Sequence, residues 1–216
     1  MTLKRSQVRL LSAPQHNAHK RMTRDEAYSL LTKYLHNKNL IKHSLAAEAA
    51  MKTIYRRLNP PEMSSYAKAT EDEWGITGLL HDIDYEIAQN ENKLDQHGTL
   101  IFDREPGVIP ESIAHAIKAH NYENTGVMPQ SPMDWGITCA DQLTGLIVAA
   151  ALVHPEKKLA PLTPEFILKR MKEKSFAKGA IREYILLCDE KLGIPLPEFV
   201  AIVLIAMQEK SPDLGL

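Results

Sequence analysis

The 216-residue chain predicts an all-α fold on three observations. From Thr23 onward, apolar residues recur at three- and four-residue spacing. Thr-x-x-Glu pairs open two of the segments so marked, and proline-containing breaks separate most of the others. No run alternates apolar and polar residues as a half-buried strand would. At this length one hydrophobic core suffices, so a single domain is expected, and the sequence contains no internal repeat or low-complexity tract.

The elements follow in order. Thr23-Arg-Asp-Glu26 has the form of a capping box, in which hydroxyl and carboxylate satisfy backbone N–H groups of the first turn; it predicts a helix to about His36. Asn39 is expected to cap a second helix that places Leu45, Ala49 and Ile54 on the core and stops at Asn59-Pro60-Pro61. Thr70 and Glu73 form the second capping pair and open a helix with Trp74, Ile76, Leu79 and Leu80 on its apolar face. This helix delivers His81 and Asp82 near its end, and an irregular segment is expected from about 83 to 95. Further helices are expected at about 96–104, 110–120, 132–153, 164–172, 176–191 and 196–209, with breaks around Pro106, Pro129, Pro155, Pro161 and Pro195.

Composition narrows the function. The 26 Lys+Arg and 27 Asp+Glu leave a net charge of -1, so no general electrostatic pull toward polymeric nucleic acid or an anionic membrane is expected. Cys139 and Cys188 lie in apolar helical patterns outside any CxxC arrangement, which fits a reducing cytoplasm and not a disulfide framework or zinc knuckle. The longest apolar run, GLIVAAALV, is about half the roughly 20 residues of a membrane span and reads as core helix. The first 24 residues carry Lys4, Arg5, Arg9, Lys20, Arg21 and Arg24 but no acid. That resembles a transit peptide, but the simpler reading is a flexible basic tail over residues 1–22 or an extended start ahead of Met22.

Against this background GLLHDIDYE, residues 78–86, is anomalous, because a buried approach ends in His81, Asp82, Asp84 and Glu86. Burying an ionised carboxylate is costly unless it is paired or binds a cation. Asp141 in CADQLTGLIVAA poses the same problem, with a helix-start carboxylate as the simpler alternative. His43 in KHSLAAEAA, taken alone, reads as an ordinary core or surface histidine. Together, His43, His81, Asp82 and Asp141 offer two imidazoles and two carboxylates from three helices, a donor set suited to Mn, Fe, Zn, Co or Ni. His97 in DQHGTL and His120 in PESIAHAIKAHN can serve a second ion, with Asp82 bridging. His115 would point roughly 140° away from His120 on an ideal helix and is set aside. His16, His19, His36 and His154 read as solvated surface.

The order His43, His81-Asp82, His97, His120, Asp141, with the words HSLAAE, GLLHDID, QHG, AIKAHN and ADQLTGLI, resembles the H…HD…H…H…D signature of the HD superfamily of metal-dependent phosphohydrolases. The resemblance spans residues 23–153. It implies an HD-domain helical bundle over 23–216, with a core at 23–153 and added C-terminal helices at 159–210. It further implies one or two divalent transition-metal ions, with Mg also permitted, and hydrolysis of a small phosphate ester, often a nucleotide. Asp84-Tyr85 stands where many relatives carry glycine and, in signalling-nucleotide phosphodiesterases, lysine; the paired histidines of that branch are also missing, which argues against a cyclic dinucleotide substrate.

In the mechanism so implied, Asp82 bridges the ions, and Asp84 or Glu86 protonates the leaving group or orients a ligand histidine. Lys118 and Asn121 are the substrate-binding candidates, and Lys178 and Arg182 are further phosphate anchors. Two alternatives stay open at this level. One is a mixed-valent di-iron oxygenase of the same superfamily, and the other is a non-catalytic HD sensor module.

Overall fold

The computed structural model describes residues 21–60 and 69–216. Most of the expected tail, His16, His19 and Pro61 therefore lie outside the described residues. Among the described residues the regular elements are helical and no strand occurs. They run α1 (Arg24–Tyr34), α2 (Lys38–Leu58), α3 (Glu71–Leu80), α4 (Tyr85–Asn90), a 3-10 turn (Leu94–Gln96), α5 (Leu100–Arg104), α6 (Glu111–His120), α7 (Tyr122–Thr125), α8 (Pro132–Val153), α9 (Pro164–Met171), α10 (Arg182–Leu192), α11 (Leu196–Glu209) and α12 (Ser211–Leu214).

Both expected capping boxes form, and a third, Ser131 with Asp134, opens α8 behind Pro132 at its first position. Elsewhere tertiary bonds move the boundaries. Asn37, not Asn39, caps α2: its side-chain oxygen accepts the Asn39 N–H at 2.9 Å. The segment expected to be irregular contains α4, because the Glu86 carboxylate accepts the N–H groups of His36 and Asn37 at 2.8 and 2.6 Å and ties this short helix to the start of α2. The helix expected at 96–104 shrinks to α5, since Gly98 adopts φ +91° and breaks the run. The one expected from 176 begins only at Arg182, whose guanidinium donates to the carbonyls of Phe176, Ala177 and Ala180 and holds the preceding turns out of the helix.

Two apolar clusters fill the interior. One gathers α2, α8, α9, α10 and α11 around Met51, Ile137, Leu143, Ile147, Phe199 and Val203. The other joins α1, α3 and α6 around Leu31, Leu79, Leu80, Ile113 and Ile117, and Leu45 of α2 packs against both. Helices α2 and α3 approach closely at Gly78, where a Cβ would stand 2.5 Å from the Ala47 carbonyl oxygen. Helix α8 is long and apolar enough as a whole to cross a membrane, which its GLIVAAALV run alone did not suggest, but most of it is buried within the protein. Cys139 and Cys188 are buried and unpaired, and burial pushes both thiols upward.

Candidate metal centre

Five separate parts of the chain bring His43, His81, Asp82, His97, His120 and Asp141 together. His43 stands in the early turns of α2, His81 caps the C-terminus of α3 with Asp82 next to it, His97 follows the 3-10 turn, His120 closes α6, and Asp141 lies in the middle of α8. Its position far from either end of α8 removes the helix-start explanation for Asp141. His43 Nε2 lies 3.1 Å from His81 Nε2, 2.9 Å from Asp141 Oδ1 and 3.5 Å from Asp82 Oδ2. On the other side, Asp82 Oδ1 lies 2.9 Å from His97 Nε2 and 3.7 Å from His120 Nε2. Asp82 thus turns one oxygen to each half of the cluster. His43, His81 and Asp82 form one group able to hold a metal ion, and Asp82, His97 and His120 form another.

Hydrogen bonds around the cluster fix how the rings face. His81 Nδ1 donates to the Gly78 carbonyl at 2.8 Å, and His120 Nδ1 donates to that of Ile117. His97 Nδ1 donates to Asp84 Oδ1 at 2.7 Å. A carbonyl only accepts, so Nδ1 must carry the hydrogen and the neutral ring presents its Nε2 lone pair inward. Asp84 also accepts the N–H groups of Gly98 and Ile101 at 3.0 and 3.2 Å, and Asn121 Nδ2 donates to the His97 carbonyl at 3.0 Å. Gln142 Nε2 donates to Asp141 Oδ2 at 2.6 Å, which leaves Oδ1 toward His43 and His81. The fit to a cation is chemical: His43 and His81 bring two Nε2 atoms to 3.1 Å beside two carboxylates, and positive charge between them, metal or proton, is what makes that approach favourable.

The electrostatics agree. Burial opposes charge on His81, but Asp82 and Asp141 prevail and raise its pKa to about 9. His97 follows the same balance between Asp82 and Asp84, to about 10. Burial would raise Asp82 and Asp141, yet the surrounding histidines hold both well below the usual carboxylate range. Asp84 is also held low: burial is outweighed by His97 and by the amides of Gly98 and Ile101.

The remaining candidates divide. Asp84 is buried against His97 as an acceptor, with its oxygens engaged, and Tyr85 packs edge-on to the same ring at 5.2 Å between centroids. Glu86 is not brought into the cluster; its carboxylate serves the α1–α2 junction and the His36 ring, so the role as proton donor expected of it is withdrawn. Lys118 stacks its ammonium over Phe102, and Asn121 donates to the His97 carbonyl. Arg182 is committed to backbone carbonyls and Lys178 is exposed. His115 pairs with Asp134 at 3.0 Å, away from the six. His36 is exposed, and His154 packs against Phe166. Gln142 was not anticipated. It follows Asp141 directly, and nothing in the sequence marks its amide as the partner of its neighbour.

His43 and Asp141 open onto a cavity of about 330 Å³ also lined by Gln142, Gly145, Ala149, Ala177, Gly179 and Ala180. Comparison with protein-family models, with curated proteins and with solved structures found no match to this chain.

Proposed function

We propose that the protein is a metal-dependent phosphohydrolase of the HD type acting on a small phosphate ester. The observation that carries this reading is Asp82, with one oxygen toward His43 and His81 and the other toward His97 and His120, because two adjacent cation positions sharing a carboxylate suit in-line displacement at phosphorus. Bound there, divalent ions would supply Lewis acidity and a water acidic enough to attack near neutral pH. His43, His81, Asp82 and Asp141 would hold one position, and Asp82, His97 and His120 the other. Asp84 keeps His97 in the tautomer that faces inward, and Gln142 does the corresponding work for Asp141. Asp84 is a positioning residue and not the acid, since its carboxylate is ionised and engaged. The net charge of -1 fits a small substrate gripped locally, and two unpaired cysteines fit a reducing cytoplasm.

The test is metal analysis of the purified protein together with phosphate release from nucleotides and small phosphate esters, with Mn, Mg, Co, Ni and Fe added in turn. Hydrolysis dependent on a transition metal is expected, with His81→Ala and Asp82→Ala inactive but still helical by circular dichroism. Full activity in strong chelator contradicts the proposal. The same six donors also suit a pair of irons. Two bound irons with substrate-dependent oxygen uptake and no phosphate release would replace hydrolase by oxygenase chemistry.

A further inference from the structure

Three of the six candidate ligands are held by partners close to them in the chain: His81 by the Gly78 carbonyl, His120 by that of Ile117, and His97 by Asp84. Asp141 is different. Among the described residues, the Gln142 amide is the one hydrogen-bond partner of its carboxylate outside the ligand set. Neighbouring residues of a helix do not face each other, so α8 by itself does not bring Gln142 Nε2 to 2.6 Å from Asp141 Oδ2. What turns the side chain back is its other end. Gln142 Oε1 accepts the Ile181 N–H at 2.8 Å, from the segment between α9 and α10. A backbone N–H only donates and an ionised carboxylate only accepts, so both partners fix the same orientation of the amide.

The position of that N–H depends in turn on Arg182. Its guanidinium donates to the carbonyls of Ala177 and Ala180 at 3.0 and 2.7 Å, to those of Met171 and Glu173 at 3.3 and 3.4 Å, and to that of Phe176. The segment from 172 to 181 has no regular helix of its own, and Ala177 holds φ +43°, a left-handed conformation unfavourable for a residue with a Cβ. Such a backbone persists where its surroundings determine it, and here the determinant is one planar fork of donors bonded to five carbonyls. Removal of the guanidinium releases these turns, and with them the amide from which Gln142 accepts.

We propose that Arg182 is a positioning residue of the metal centre: it holds Ile181, Ile181 holds Gln142, and Gln142 keeps Asp141 Oδ2 occupied so that Oδ1 faces His43 and His81. Through this relay the C-terminal helices set the cation affinity of the half that contains Asp141, and not that of the half built on His97 and His120. The inference rests on the metal-centre part of the hydrolase reading and on no particular substrate.

Cobalt titration of the full-length protein, followed by absorption spectroscopy, tests the relay, with His43→Ala and His97→Ala assigning each bound ion to its half. Arg182→Ala is expected to weaken the ion of the Asp141 half about 10–100-fold and to shift its absorption bands, with the other ion unchanged. Ile181→Pro deletes the N–H that Gln142 accepts, at a φ of -80° that proline adopts, and should reproduce the effect with Arg182 in place. In a Gln142→Leu background, which loses the same affinity, Arg182→Ala should weaken the ion no further while still lowering the melting temperature. An effect of Arg182→Ala that persists beside Gln142→Leu would mean general loosening and overturns the relay, as does unchanged cobalt affinity in folded Ile181→Pro. Should Arg182→Ala fail to fold, Ile181→Pro decides alone. Wild type that binds cobalt but cleaves no phosphate ester loses the hydrolase reading and keeps the relay. Wild type that binds no cobalt removes both.

Discussion

Asp84 shows how much a single side chain outside the ligand set can control. Its carboxylate receives His97 Nδ1 and two backbone amides, so it fixes both the ring and the loop that carries it. Asp84→Ala is expected to weaken metal retention roughly 10–100-fold with the six donors intact, as measured by competition with a chromophoric chelator. Unchanged retention would reduce Asp84 to a loop anchor. The protonation of His81 and His97 gives a second expectation. Without metal their pKa values stand at about 9 and about 10, so near neutrality both rings hold protons that an incoming cation must displace. Metal affinity should therefore rise with pH between 7 and 9, and calorimetry in buffers of different ionisation enthalpy should register proton release. The metal-free fold responds in the opposite sense. These histidines titrate above their unfolded value, so their stabilisation is full below about pH 6.5 and is lost as pH rises through 9 to 10. Chelated protein should accordingly melt lower at pH 10 than at pH 7, and an equal or higher melting point there would contradict the assignment.

At the scale of the element, α3 is the sensitive part of the scaffold. Gly78→Ala places a methyl group against the α2 backbone and should cost about 1–3 kcal/mol, and because His81 rides on the same turn it should also lower metal content. Thr70→Ala, which removes only the cap at the far end of α3, should cost about 1 kcal/mol in denaturant melts with metal content unchanged. Helices whose ends are written locally could be read from the sequence: α8 behind Ser131-Pro132 and α11 behind Pro195 begin and end where expected. Ends decided by distant partners could not. Nothing in DYEIAQN tells that Glu86 serves amides some fifty positions upstream, or that Arg182 holds back the start of α10. The six candidate ligands were legible for the same reason as α8, since residue type and order sufficed to list them. The shell around them was not, because Asn121, Gln142 and Asp84 look like ordinary polar residues until folding shows what each one holds.

Across the whole molecule, the six residues draw on helices from both apolar clusters, α2 and α8 from one and α3 and α6 from the other. A cation bound among them links the two, and binding that favours the folded state raises its stability by mass action, about 2.7 kcal/mol at a hundredfold excess over Kd. For a chain of this size that corresponds to a melting point roughly 5–11 °C higher with saturating metal than with chelator. Scanning calorimetry of the two forms checks it, and coincident transitions would mean that the cluster binds no ion tightly. The two halves of the cluster are also built differently. His43, His81 and Asp141, and His120 in the other half, stand on or at the end of helices of ten residues or more, whereas His97 stands on a loop suspended from Asp84 and Asn121. An ion on the His97 side would lose one of its three donors by a swing of that loop alone, with Asp82 and His120 staying in place, while the other side would need helices to part. Radiotracer exchange should then be biphasic, with one ion trading quickly with solution and the other retained.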